Sequence, residues 1–126
     1  MDYQSARTYL LSKPEAFEDF PFGPDTAVMK IKQRMFATLG YQGEHVAINL
    51  KCDPTEAVML RDVFTAVIPG YHMNKKHWNT VFLDGSVPRP ELERMIDRSY
   101  GLVVKGLKKI EREALLLSYG EAAIYR

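Results

Sequence analysis

An α+β domain built on one antiparallel sheet is the fold class this sequence predicts, and three observations predict it. Apolar residues alternate through positions 27–32, an apolar run follows at 35–39, and Val46, Ile48 and Leu50 share a face in 46–51, all joined by short turns, which is the pattern of a three-stranded meander. Apolar residues at helical spacing lie before that block, between it and a fourth strand-like stretch, and after it. The chain has 126 residues, 46% hydrophobic and 26% charged, which suits one domain, 1–126, with a single core. Strands in a block with helices around them put the helices mainly on one face of a sheet of about four to five strands. The other face is left to water or a partner.

Element by element, Tyr3, Ala6 and Leu10 fall at helical spacing, and Pro14 stops that helix. Residues 17–22 alternate apolar with charge and break at Gly23-Pro24. Ala27, Met29 and Ile31 then alternate with Val28, Lys30 and Lys32, so the strand has one basic face. Gln33-Arg34 turns the chain into 35–39, and 41–44 turns it again into 46–51, where Val46, Ile48 and Leu50 share a face. Asp53-Pro54-Thr55-Glu56 starts a helix, because Asp53 can accept from the Glu56 amide and proline at the first helical position has no amide to strand. That helix is expected to turn Ala57, Leu60, Phe64 and Val67 inward. The aromatic and β-branched stretch 77–83 reads as a fourth strand, ended by Asp84-Gly85. From Pro88, the positions of Leu92, Met95, Ile96, Ser99 and Val103 trace a helix that Gly106 caps, and 107–126 reads as a C-terminal helical extension.

Composition narrows the function classes. No apolar run approaches the roughly 20 residues that cross a bilayer, and residues 1–12 carry polar side chains at every second or third position, unlike a signal-peptide core. A soluble, cytoplasmic protein without a membrane partner is expected, as a monomer or weak dimer. Cys52 is the one cysteine, which excludes an intrachain disulfide and a thiolate zinc cluster. With a net charge of +1, polyanion binding by bulk charge is excluded, so a nucleic-acid role needs cations sorted onto one face.

Four strings carry a resemblance. Phe20-Pro21-Phe22-Gly23, Lys51-Cys52-Asp53-Pro54, the run from Pro69-Gly70-Tyr71-His72-Met73-Asn74-Lys75-Lys76-His77-Trp78 to Val81, and Asp97-x-Ser99-Tyr100-x-Leu102-Val103 together resemble the MmcQ/YjbR family, up to about residue 109. The resemblance implies a compact α+β fold similar to the CyaY (frataxin) layout, with β-hairpins exposed as a double wing against DNA. One departure stands out: the family pattern has glycines in the first hairpin turn, where this chain has Lys32-Gln33-Arg34, so a longer or bulged turn is expected.

The leading functional expectation is therefore a DNA-binding surface. Lys30, Lys32, Arg34, Lys51, Lys75 and Lys76 would contact phosphates and Asn74 a base edge. The plainer account of these cations is the solvated face of a sheet, where lysines also discourage edge-to-edge pairing. A second expectation is a small-molecule or catalytic pocket lined by Tyr71, His72, Asn74, Lys76, His77 and Trp78, and a third is protein interaction through an uncovered sheet face. His72 and His77 are five apart across a loop, which matches neither helical nor strand ligand spacing, so no metal is expected. No nucleophile with its base is evident, and no cofactor is required. The histidines are expected to fasten their loop by hydrogen bonds, Trp78 to pack as core, and Cys52 to be buried and inert.

Overall fold

The structure, a computed structural model, describes residues 1–126. Helix α1 (Tyr3–Leu11) leads into β1 (Phe17–Asp19), β2 (Thr26–Ile31), β3 (Arg34–Gln42) and β4 (His45–Lys51). Helix α2 (Pro54–Val63), β5 (Val67–Pro69), β6 (Trp78–Phe82), α3 (Arg89–Lys105), α4 (Lys109–Tyr119) and α5 (Glu121–Ile124) complete the chain. All strand pairs are antiparallel, in the spatial order β1-β2-β3-β4-β6-β5. The meander is β2 to β4, as alternation predicts, and the fourth predicted strand is β6.

The sheet has six strands, more than the four to five expected: the alternating stretch 17–22 contributes β1 over Phe17–Asp19, and the unexpected strand is β5, only three residues long. Three residues are too few for alternation to register. The region assigned to the end of α2 is also different. Asp53 caps α2 as expected, its carboxylate accepting from the Thr55 and Glu56 amides at 3.0 and 3.2 Å. The helix stops at Val63, since Phe64 takes an extended backbone (φ −118°, ψ 121°), and Val67 pairs with Val81 as a strand. Val67 still faces the core, 2% exposed. Pro69 ends this edge strand, where a missing amide leaves no ladder bond unmade.

One face of the sheet holds the core. Ala27, Met29 and Ile31 from β2, Ala37 and Leu39 from β3, Ile48 and Leu50 from β4 and Val81 from β6 pack against Leu60 of α2 and Met95, Ile96, Tyr100, Val103 and Val104 of α3. The Asp97-x-Ser99-Tyr100 string is the clamp of this layer. Asp97 accepts from the Lys13 ammonium at 2.6 Å and the Tyr9 hydroxyl at 2.8 Å. Tyr100 donates to Pro14 O at 2.6 Å and meets the Phe36 ring edge-on at 5.3 Å. Ser99 Oγ donates to Phe36 O at 2.6 Å and accepts from the Lys51 amide at 2.8 Å. Register with β2 slips at Met29/Lys30, and the β3 to β4 ladder ends at Ala37–Leu50, so the serine hydroxyl stands where the next ladder bond would be.

The first hairpin keeps a two-residue turn. Ile31 pairs with Arg34 around Lys32-Gln33, and Lys32 takes the positive φ (56°) that glycine would otherwise supply. The turn is not lengthened, and the irregularity sits farther along the strands, at the slip beside Phe36. Nor does the tip project freely: Lys32 Nζ lies 2.8 Å from the Glu15 carboxylate in the α1 to β1 connection.

Candidate functional site

Strand alternation assigns the second face of the sheet. Thr26, Val28 and Lys30 of β2, Met35 and Thr38 of β3, Ala47, Asn49 and Lys51 of β4 and Trp78 and Thr80 of β6 point away from the helices. Val28, Thr38, Asn49 and Thr80 stand in one cross-strand row through the pairs Val28–Thr38, Thr38–Asn49 and Asn49–Thr80. Trp78 is thus not core. It is half-buried on the uncovered face, outside the helix-side cluster.

The Pro69 to Trp78 segment folds back over this face. Gly70 makes that possible: a Cβ there would lie 2.9 Å from Trp78 Cβ and 3.0 Å from Met73 Cβ. The Gly70 amide donates to Trp78 O at 2.8 Å and the Tyr71 amide to Thr80 Oγ1 at 2.9 Å. The expected fastening by histidines is not what holds the loop, since neither imidazole makes a hydrogen bond within the chain. Asn74 Oδ1 accepts from the Lys76 and His77 amides at 2.9 and 3.3 Å, and Lys75 Nζ donates to Gly70 O at 3.0 Å. Arg61 of α2 donates to the carbonyls of Lys75 and Trp78 and to Asn79 Oδ1, the last at 2.7 Å. Arg61 escapes sequence reasoning about this loop, although its place four residues after Ala57 puts it on the inward flank of α2.

The predicted cations sort into two sets. Lys30 pairs with Asp19 of β1 at 2.7 Å, Lys32 with Glu15 at 2.8 Å, and Lys75 spends its ammonium on Gly70 O. These pairs hold the Asp19 and Glu15 carboxyls below the usual carboxylate range, through the lysine hydrogen bonds, and hold Lys32 above the usual lysine value. Arg34, Lys51 and Lys76 form no ion pair and no side-chain hydrogen bond within the chain. They share one end of the sheet, because Arg34 opens β3, Lys51 closes β4 opposite Trp78, and Lys76 precedes β6. Asn74, with its oxygen committed to the turn, keeps only its amide nitrogen for a partner.

The predicted pocket residues do not converge as a group. The Tyr71 and His72 rings lie 4.2 Å apart between centroids, tilted at 60°, and face a cleft of about 430 Å³, while Asn74, Lys76 and His77 form the turn beside it. The floor of the cleft includes Thr38 and Asn49, Met35 lies toward the basic end, and Phe22 from the β1 to β2 connection lines another wall. His72 has φ 61°, a left-handed backbone that costs a non-glycine residue free energy. Phe22, 73% exposed, is the aromatic whose role the sequence did not disclose. No group of three or more His, Cys, Asp or Glu side chains is disposed to hold a metal ion, and no helix is long and apolar enough to cross a membrane.

Comparison with known proteins places this geometry in a family context. The YjbR family model matches residues 11–102, from the end of α1 through most of α3. YbdF of Escherichia coli O157:H7 is 33% identical over 111 residues, covering 88% of this chain and 91% of its own. YjbR of Escherichia coli K12 is 32% identical over 108 residues, covering 86% and 92%. Among solved structures, a Deinococcus radiodurans protein superposes with a TM-score of 0.82 at 38% identity, over 90% of this chain and 87% of its own.

Proposed function

This chain belongs to the YjbR family, and we propose that it binds nucleic acid through the basic end of its sheet. The observation that carries the reading is that Arg34, Lys51 and Lys76 lie at that end with no partner in the chain, Arg34 on the helix side of the sheet and Lys51 on the uncovered side. A cation already held by a carboxylate must exchange that partner to meet a phosphate, whereas an unpaired one releases counterions directly. Lys30 and Lys32 are a reserve. Their pairs with Asp19 and Glu15 lie at the surface, where solvent screens them, so a phosphate can replace the carboxylate.

This reading moves the contact from hairpin tips to the sheet end. A free wing would insert its tip into a groove, but here Glu15 ties the tip down. Phosphates would run across the ends of β3, β4 and β6, and contact of that kind positions a nucleic acid without reading its bases. Binding is then weak, salt-dependent and tolerant of sequence. Fluorescence anisotropy of labelled duplex and single-stranded DNA tests it, comparing the wild type with a variant carrying Arg34→Ala, Lys51→Ala and Lys76→Ala. The variant is expected to lose most of its affinity at low salt while keeping its thermal stability. Equal binding by the two proteins would remove the proposal.

A further inference from the structure

The cleft on the uncovered face carries a separate inference, which begins with a directional chain of hydrogen bonds along its floor. The Tyr71 amide donates to Thr80 Oγ1 at 2.9 Å, and the Thr80 hydroxyl donates to Asn49 Oδ1. Asn49 Nδ2 in turn donates to Thr38 Oγ1 at 2.8 Å. Thr80 Oγ1 accepts from the Tyr71 amide and gives its own hydrogen to the Asn49 oxygen, which turns the Asn49 amide nitrogen toward Thr38. At the far end the Thr38 hydroxyl accepts and donates to nothing within the protein, and one N–H of Asn49 is likewise unspent. Thr38 is only 6% exposed and lines the cleft. A nearly buried O–H donor without an acceptor is a group that an incoming oxygen would satisfy.

The surroundings say what kind of oxygen. Lys51 stands two residues along β4 from Asn49 on the same face, with its ammonium unpaired, whereas Lys30, opposite Met35 at the edge of the cleft, is already paired with Asp19. No Asp or Glu lines the cleft. Donors on the floor with a cation beside them fit an anionic oxygen. The walls say what carries it: Phe22, Tyr71 and Met35 offer flat or pliable apolar surface, and about 430 Å³ is within the range of small-molecule sites.

We propose that this cleft binds a flat, unsaturated carboxylate, its oxygens taking hydrogen bonds from Thr38 and Asn49 and its body lying between Phe22 and Tyr71. The site adjoins the phosphate surface through Lys51, while Arg34 and Lys76 do not line it. Burial of the apolar body supplies affinity, and the two donors select for the acid over an alcohol of the same shape.

Titration of isotope-labelled protein with naphthoate, followed by NMR, tests the proposal. Saturable shifts are expected at the Asn49 side-chain amide and the Tyr71 and Thr80 backbone amides, with naphthylmethanol binding about tenfold or more weakly. Thr38→Val and Phe22→Ala should each weaken naphthoate about tenfold, and Lys76→Ala should leave it unchanged. Phe22 is exposed, so its variant remains informative even where Thr38→Val disturbs the floor. No saturable shift at Asn49, equal affinity for acid and alcohol, or unaltered binding by Phe22→Ala would overturn it. Tighter binding of uridine monophosphate together with loss of naphthoate binding in Lys76→Ala would also overturn it, by merging the cleft with the phosphate surface.

Discussion

Lys32 Nζ lies 2.8 Å from Glu15 Oε1, an ion pair between the tip of the first hairpin and the connection from α1 to β1. It settles two things at once. The tip is anchored to the body, and the most prominent hairpin cation is already neutralised. The neighbouring pair of Lys30 with Asp19, at 2.7 Å, does the same one row along the sheet.

Releasing both lysines should therefore strengthen nucleic-acid binding. Glu15→Gln with Asp19→Asn is expected to raise affinity at low salt and steepen the log-log salt slope from about −2.7 toward about −4.5, at roughly 0.9 per added phosphate. Anisotropy titrations across a salt series measure both. Unchanged affinity and slope would mean that Lys30 and Lys32 lie outside the contact.

Asp97 is the countercharge of a nearly buried lysine, with the Lys13 side chain only 3% exposed. Asp97→Asn strands that ammonium and should cost about 3–5 kcal/mol, read as a lower urea midpoint. Replacing Lys13 by Met and Asp97 by Leu together should recover much of the loss, because an apolar pair removes both charges.

Gly70→Ala tests the folded-back loop. With only 2.9 Å to Trp78 Cβ, the added methyl group must push the loop off the sheet, at an expected cost of about 1–3 kcal/mol. The Trp78 fluorescence should move toward that of a solvated indole. An unchanged spectrum and stability would contradict the close approach.

Cys52 is 8% exposed, and burial pushes its thiol up to about 11. At pH 8 it is neutral in the folded chain, so thiol reagents should react slowly in buffer and fast in denaturant. The sign follows from the raised value. The folded state gains from the neutral thiol below the unfolded value near 9, and this contribution is lost as pH rises toward 11. Rapid labelling of folded protein at pH 8 would refute the assignment.

The parts of the fold legible in sequence were those with a repeating period. Alternation located β2 and β4, the turn signals around 35–39 located β3 between them, the aromatic and β-branched stretch 77–83 located β6, and the Asp53-Pro54 cap located α2. Alternation through 17–22 marked the region of β1, but β5 was hidden, because three residues make one alternation, as was the strand role of Val67, whose spacing fits a helix face and a strand equally well. At the site, sequence identified the Tyr71 to Trp78 loop but not its partners. Lys30 and Arg34 look alike in the sequence, and only the fold brings Asp19 to one and leaves the other bare. Phe22 is about fifty positions from Tyr71, and no local spacing relates them across the cleft.

The central claim is phosphate contact by Arg34, Lys51 and Lys76, and the salt dependence of DNA binding by the wild-type chain tests it most directly. Anisotropy titrations from low to physiological salt should give binding that is micromolar or weaker and falls with a log-log slope of about −2.7, for three phosphates on duplex DNA. A flat salt response, or no binding at low salt, would contradict the account.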